Sequence, residues 1–181
     1  MSVLRDPGYR RLWVSGLCSN MARWMDLVAV GWITLQMTGS PFMVAVAAFA
    51  RSAPMMVLGP FAGIVADRVS RAHLLLVTQA GGAVIALALL AMFAVDAAGY
   101  WRLVALEGAF GILWSLDFPA RRTAIFSMLG AARVAQAVSL ETVSVQIAKM
   151  VGPVVAGASL ASLGPVPCYA VMVAVFVVGL G

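Results

Sequence analysis

The chain has 181 residues, of which 63% are hydrophobic and only 10% are charged. A soluble domain carries about 25% charged residues, so this composition predicts an integral membrane protein and excludes an ordinary soluble one. The net charge of +5 does not indicate a nucleic-acid partner. The arginines fall in short segments between apolar runs, which is how the topology of a membrane protein is encoded.

A membrane-crossing helix needs roughly 20 mainly apolar residues, and the sequence divides into six runs of this kind. The predicted helices cover approximately residues 12–37, 42–66, 74–95, 102–118, 135–163 and 166–181. We expect the segment between the fourth and fifth helices to be a loop that includes an amphipathic turn. The sixth run is too short for a comfortable crossing. The chain is therefore expected to end inside its sixth helix, with a C-terminal six-helix half missing or supplied by another polypeptide.

The distribution of basic residues predicts the orientation in the bilayer. If the N-terminus is cytoplasmic, only Arg102 falls in an outer loop. The cytoplasmic arginines would be Arg5, Arg10, Arg11, Arg68, Arg71, Arg121, Arg122 and Arg133. This strong positive-inside bias favours six helices over five or seven. The prediction is a multi-pass protein of the cell (inner) membrane with a cytoplasmic N-terminus.

A short internal similarity suggests an inverted repeat of three helices plus three. The sequence GPFAG at 59–63 lies in the second predicted helix, and GPVVAG at 152–157 lies in the fifth. These are the middle helices of the two three-helix sets, and they run in opposite directions across the membrane. Glycine and proline interruptions at matching places in such repeats indicate a transport pathway.

A charged hairpin joins the second and third apolar runs. Its residues Gly63, Asp67, Arg68 and Arg71 resemble the loop between helices two and three of major facilitator superfamily (MFS) transporters, although Ser70 replaces the second glycine of that pattern. The resemblance implies an all-helical six-helix bundle, the N-terminal half of the MFS fold. It also implies that this hairpin latches the two halves of the transporter in one state. A plain topology-determining loop is the alternative.

Other motifs resemble particular branches of the superfamily. Gly152, Pro153 and Gly157 are similar to the fifth-helix motif of MFS exporters. The sequences SNMARWMD at 19–26 and TGSP at 38–41 resemble the branch that includes enterobactin-type siderophore exporters and macrolide exporters. The resemblance implies the export of a small molecule.

Several charged residues fall inside predicted spans, where charge is costly and usually functional. Asp26 and Arg51 lie about 13 and 11 residues from the first outer turn, which places both roughly 15–20 Å deep at ~1.5 Å per residue. Lys149 reaches a similar depth, and Arg23 lies one helical turn from Asp26. We therefore expect a mid-membrane cluster of these four residues. Glu107 would either line the cavity or present a polar face to water.

Two interpretations of Asp26 remain open from the sequence. In the first, Asp26 exchanges a proton, with a pKa set by burial and by the neighbouring cations. In the second, it forms a structural ion pair that holds the first two helices together. Perturbed carboxylates occur in both roles.

The sequence thus predicts a secondary active transporter, a proton-coupled exporter of amphipathic small molecules that works by alternating access. Its partners would be the substrate, protons, the lipid bilayer and the second six-helix half. An importer or lipid transporter of the same fold, or a non-transporting membrane scaffold or sensor, is the alternative. One histidine, two cysteines and no phosphate-binding loop predict no enzyme activity, no cofactor and no metal site.

Overall fold

A computed structural model of the chain describes residues 3–68 and 70–180, except for the side chains of 60–68 and 130–132. The predicted all-helical architecture is confirmed. After a single turn of 3-10 helix at Val3–Arg5, the elements are α1 Pro7–Thr38, α2 Pro41–Arg68, α3 Arg71–Ala94, α4 Tyr100–Leu163 and α5 Pro165–Leu180. The bundle is centred on α1, which packs against α2, α4 and α5.

The ends of α1 follow from its local sequence. The Asp6 carboxylate accepts hydrogen bonds from the backbone N–H groups of Gly8 and Tyr9, at 2.9 and 3.2 Å, and Pro7 occupies the first helical position. Both features stabilise a helix start. At the other end, Gly39 adopts a left-handed backbone with φ of 63° and donates to the Leu35 carbonyl. Glycine terminates a helix in this way without steric cost.

Four stretches of the described residues are long and apolar enough to cross a membrane. They are Pro41–Gly59, Arg71–Ala94, Tyr100–Leu129 and Arg133–Leu163. The 16-residue helix α5 is apolar but shorter. Helix α1 has 32 residues and is not among the four, because charged and polar residues interrupt its apolar sequence. Its buried Asn20 and Asp26 instead contribute to the interior of the bundle.

Helix α4 differs from the prediction, because its backbone stays helical through the segment expected to be a loop. Its first span packs antiparallel to α1: Arg121 contacts Leu12, at the start of α1. Its second span packs parallel to α1, with Ala137 beside Tyr9 and Gly152 beside Trp24. The chain therefore reverses its direction between the two spans, so α4 supplies both helices that the sequence predicted separately.

Hydrogen bonds from α1 to the second span fix the two at one end of the bundle. The Tyr9 hydroxyl donates to the Ala137 carbonyl at 3.0 Å, and the Trp13 indole N–H donates to the Leu140 carbonyl at 3.1 Å. Burial, followed by the nearby negative charge of Glu141, raises the pKa of Tyr9 to about 12. The phenol is therefore a permanent donor near neutral pH.

Helix α2 meets the first span of α4 at unusually short range. Gly111 of α4 lies against the backbone carbonyl of Arg51, and a Cβ atom at Gly111 would overlap that oxygen. Small residues permit such close helix packing in membranes. The opposite side of α2 stays exposed, with Phe42 and Met56 71% and 72% accessible.

Replacing Gly111 by alanine should destabilise the protein, because the added methyl group would force α2 and α4 apart. Overpacking of this kind costs roughly 1–3 kcal/mol. The measurement is thermal unfolding in detergent of the protein produced from its whole gene. Gly157→Ala is the matched control, because it makes the same change in α4 where no described neighbouring group lies within 4 Å. Equal unfolding temperatures for the two variants would contradict the close contact.

Candidate transport site

Three charged side chains from three helices meet inside the bundle. Arg51 of α2 extends its guanidinium to Asp26 of α1 and to Glu107 of α4. One nitrogen, Nη1, donates to Asp26 Oδ2 and also to Glu107 Oε2, the latter at 3.0 Å. Both carboxylates are fully buried and the Arg51 side chain is 11% exposed. We call this group the buried triad.

The charge and hydrogen bonding of the buried triad are not balanced. Two carboxylates face one guanidinium, and Asp26 Oδ1, Glu107 Oε1 and Arg51 Nη2 have no hydrogen-bond partner in the described part of the chain. A buried ion group is stable only where attraction and hydrogen bonds offset the loss of hydration. With both carboxylates ionised, the group carries a net charge of −1.

Aromatic residues belong to the same core of the bundle as the buried triad. The Arg51 guanidinium lies 4.6 Å from the centre of the Phe110 ring, a distance typical of a cation–π interaction. Tyr169 of α5 is fully buried and stacks on Phe93 with ring centres 5.6 Å apart. Its hydroxyl has no hydrogen-bond partner among the described residues. Tyr169 could not be singled out from the sequence, because the apolar run that contains it has no charged residue.

The expected mid-membrane cluster is divided in the structure. Asp26 and Arg51 come together and are joined by Glu107, whereas Arg23 and Lys149 form no salt bridge with the acids of the described structure. Arg23 lies 3.7 Å above the Trp114 ring, and Lys149 lies 5.2 Å from the centre of the Trp24 ring. These two cations are held by aromatic rings instead of by carboxylates.

A cavity of about 380 Å³ opens between α1 and the two spans of α4. We call it the cation–aromatic cavity, because most of its large side chains are of these two kinds. Its lining includes Asn20, Arg23, Trp24, Trp114, Asp117, Phe118, Arg121, Arg122, Glu141 and Lys149. A second cavity of about 260 Å³ adjoins it and is lined by Arg51. Arg23, Trp24 and Trp114 line both cavities and so stand between the larger cavity and the buried triad.

A separate polar network fixes one wall of the cation–aromatic cavity. Arg121 pairs with Asp117 one turn earlier in α4, with nitrogen–oxygen distances of 3.2 and 3.1 Å. Thr78 of α3 donates to the same carboxylate at 2.8 Å, and Arg121 also donates to the Leu12 carbonyl at 2.9 Å. The pair of Arg121 and Asp117 is thus one part of a buried network that joins α1, α3 and α4.

The same network reaches α5 through residues that sequence reasoning missed. Ser19 donates to Gln79 at 2.5 Å, and Gln79 donates to the Phe176 carbonyl at 3.3 Å. A signal was present, because Thr78 and Gln79 are adjacent polar residues within the apolar run at 74–95. Polar side chains that face a bundle interior form interhelical hydrogen bonds.

The two family-like motifs are described to different extents. The surroundings of Gly63 and the side chains of Asp67 and Arg68 lie outside the described part of the structure, while Arg71 is exposed at the start of α3. Gly152 contacts α1 closely: a Cβ atom there would lie 2.9 Å from Trp24 Cβ.

The rest of the fifth-helix motif is looser. Pro153 follows inside α4, and a Cβ at Gly157 would meet no described neighbour within 4 Å.

The described residues contain no group of three His, Cys, Asp or Glu side chains that could hold a metal ion.

Comparison with known proteins gives two matches. The sequence pattern of an MFS family described as transmembrane secretion effectors matches residues 1–181. The chain is also similar to the uncharacterized MFS-type transporter YfiS of Bacillus subtilis, at 27% identity over 160 residues. This match covers 87% of the chain and 37% of YfiS. The chain thus spans less than half the length of this relative.

Removing the cation of the buried triad should strongly destabilise the protein. In Arg51→Gln two buried carboxylates lose their partner, and breaking a buried pair costs about 3–5 kcal/mol. Thermal unfolding in detergent measures the loss, with Arg102→Gln as the control, because Arg102 is exposed and donates only to the Ala97 carbonyl among its described contacts. The double variant Arg51→Gln, Asp26→Asn should lose less stability than the sum of the losses in the two single variants. Strict additivity would show that the two side chains do not interact.

Proposed function

Since the chain belongs to the transmembrane secretion effector family of MFS transporters, we propose that it forms the N-terminal half of a proton-coupled exporter of amphipathic small molecules. The drug-like and siderophore-like cargoes of the enterobactin and macrolide exporter branch are the proposed substrate classes. The multi-pass chain would lie in the cell membrane with its N-terminus in the cytoplasm. A second six-helix half would complete the cavity, and the two halves would rock about it.

The buried triad is the observation that supports proton coupling. A passive scaffold gains little from three charged groups deep in a membrane bundle, because each one loses its hydration. Two carboxylates on one guanidinium also leave one negative charge that a proton can neutralise. Asp26, which is fully buried and has one oxygen without a described partner, is the proposed proton site.

The triad suggests how a proton would change the packing of helices. When Asp26 is ionised, Arg51 is shared between α1 and α4. When Asp26 is protonated, its attraction for the guanidinium falls and Arg51 pairs with Glu107 alone. Protonation would therefore loosen the contact between α1 and α2 while it strengthens the contact between α2 and α4. Protonation can shift the equilibrium between two conformations of a transporter only by the difference in its free energy between those conformations.

The charged hairpin after α2 has a separate part in the proposal. Gly63, Asp67, Arg68 and Arg71 would latch this bundle to the second half in one conformational state. Arg71 supports this role, because it is exposed at the start of α3. Gly152, Pro153 and Gly157 would shape the second span of α4 beside α1, where Gly152 already allows close packing.

Transport in membrane vesicles tests the proposal directly. Inside-out vesicles from cells expressing the whole gene are energised with NADH and offered three fluorescent amphiphiles: cationic ethidium, neutral phenylnaphthylamine and anionic anilinonaphthalene sulfonate. We expect uptake of at least one above that of vesicles without the gene, and its loss when an uncoupler is added. Asp26→Asn should abolish the gradient-driven part, because an amide cannot exchange the proton. Arg102→Gln should retain it.

The other outcomes separate the alternatives. Uptake only by right-side-out vesicles would indicate an importer, and no uptake in either orientation would favour a scaffold or sensor. Wild-type uptake by Asp26→Asn, with an unchanged pH dependence, would remove Asp26 from the coupling mechanism and leave it as a structural partner of Arg51.

A further inference from the structure

The charges that line the cation–aromatic cavity are strongly unequal. Among the described residues of its lining, four cations face two acids. The cations are Arg23, Arg121, Arg122 and Lys149, and the acids are Asp117 and Glu141. Arg121 and Asp117 neutralise each other within the buried network. Three cations and the single carboxylate of Glu141 therefore determine the charge that the cavity offers to a ligand.

Each of these three cations lies over an aromatic ring of the same cavity. Arg23 is 3.7 Å from the centre of the Trp114 ring, Lys149 is 5.2 Å from that of Trp24, and Arg122 is 5.9 Å from that of Phe118. No salt bridge joins any of the three cations to an acid in the part of the chain that the structure describes. A ring face orients a cation without neutralising it, so the positive charge remains available to a ligand.

We propose that the cation–aromatic cavity binds amphipathic anions that carry a flat ring, such as aromatic carboxylates or sulfonates. The anionic group would contact Arg23 and Lys149, and the ring would pack against Trp24 and Trp114. This inference rests on the proposed function, because it names the class of cargo that the exporter would accept.

A cationic amphiphile would fit this cavity poorly, because few acids are available to pair with it. Asp26 and Glu107 are fully buried and already share the Arg51 guanidinium. Glu141 is the one remaining acid of the cavity lining, and it faces three cations there. A cationic amphiphile would therefore meet net repulsion in this cavity, whereas an anion would supply the counter-charge that isolated membrane cations need.

Binding of three ring-matched compounds tests the inference without any transport. The protein from its whole gene is placed in phosphatidylcholine nanodiscs, and naphthoate, naphthamide and naphthylmethylammonium are titrated by calorimetry. Empty nanodiscs provide the blank. We expect the dissociation constant of naphthoate to be at least about tenfold lower than that of naphthamide, because the contact with naphthoate is charge-assisted. The cationic compound should bind most weakly.

Single substitutions assign the binding to the named side chains. Arg23→Gln and Lys149→Gln should each weaken naphthoate binding about tenfold, while Lys149→Arg should retain it because the charge remains. Glu141→Gln should tighten naphthoate binding, since it removes the lining acid that has no salt bridge in the described structure. Arg102→Gln, which removes one positive charge from the outer surface, is the control for net charge and should bind like the wild type.

Three results would overturn the inference: no binding of naphthoate, binding of the cation as tight as that of the anion, or no greater effect of Arg23→Gln and Lys149→Gln than of Arg102→Gln. Each variant's unfolding temperature shows whether it is folded. The outcome is distinguishable from failure of the proposed function, because the titration needs no gradient. Asp26→Asn can abolish coupled transport and still bind naphthoate, and a cationic cargo can be exported while this inference fails.

Discussion

The Arg51 guanidinium, placed between two buried carboxylates, is the interaction on which the interior of the bundle depends. It joins α1, α2 and α4 in the buried interior of the bundle, where an unpaired charge is strongly unfavourable. The two acids hold the arginine inside, and the arginine makes the burial of the two acids possible. None of the three side chains would be stable there alone, so the helices that supply them must pack as a unit.

The apolar runs carried most of the information about the fold. Composition and run length predicted an all-helical membrane protein, and the structure confirms this architecture. The charged hairpin and the helix motifs predicted membership of the MFS, and the family match confirms it. That family consists of transporters and not of enzymes. The connection at 119–133 was not predictable in the same way. Its charged residues are typical of a loop, yet Arg121 is buried in a network with Asp117 and Leu12, so tertiary contacts keep this segment helical.

Counting residues along the helices predicted the site only in part. Counting residues from a turn gives the height of a side chain in the bilayer, but it does not give the direction in which that side chain points around the helix axis. Asp26 and Arg51 share both height and direction, while Lys149 shares only the height and turns toward Trp24. The cation–aromatic contacts could not be predicted for the same reason. Trp114 and Phe118 lie four residues apart on one face of α4, a spacing that packing alone also explains.

The close contact at Gly111 gives Arg51 two distinct mechanical roles. Its backbone carbonyl is pressed against α4 where even a methyl group cannot fit, so α2 has little freedom to slide along α4 at this level. Its side chain extends from that fixed point to two carboxylates on different helices. The backbone of Arg51 is thus held in place, while its side chain can change conformation. Rearrangement at this height would occur by a change of side-chain rotamer, with α2 and the first span of α4 moving together as one rigid pair.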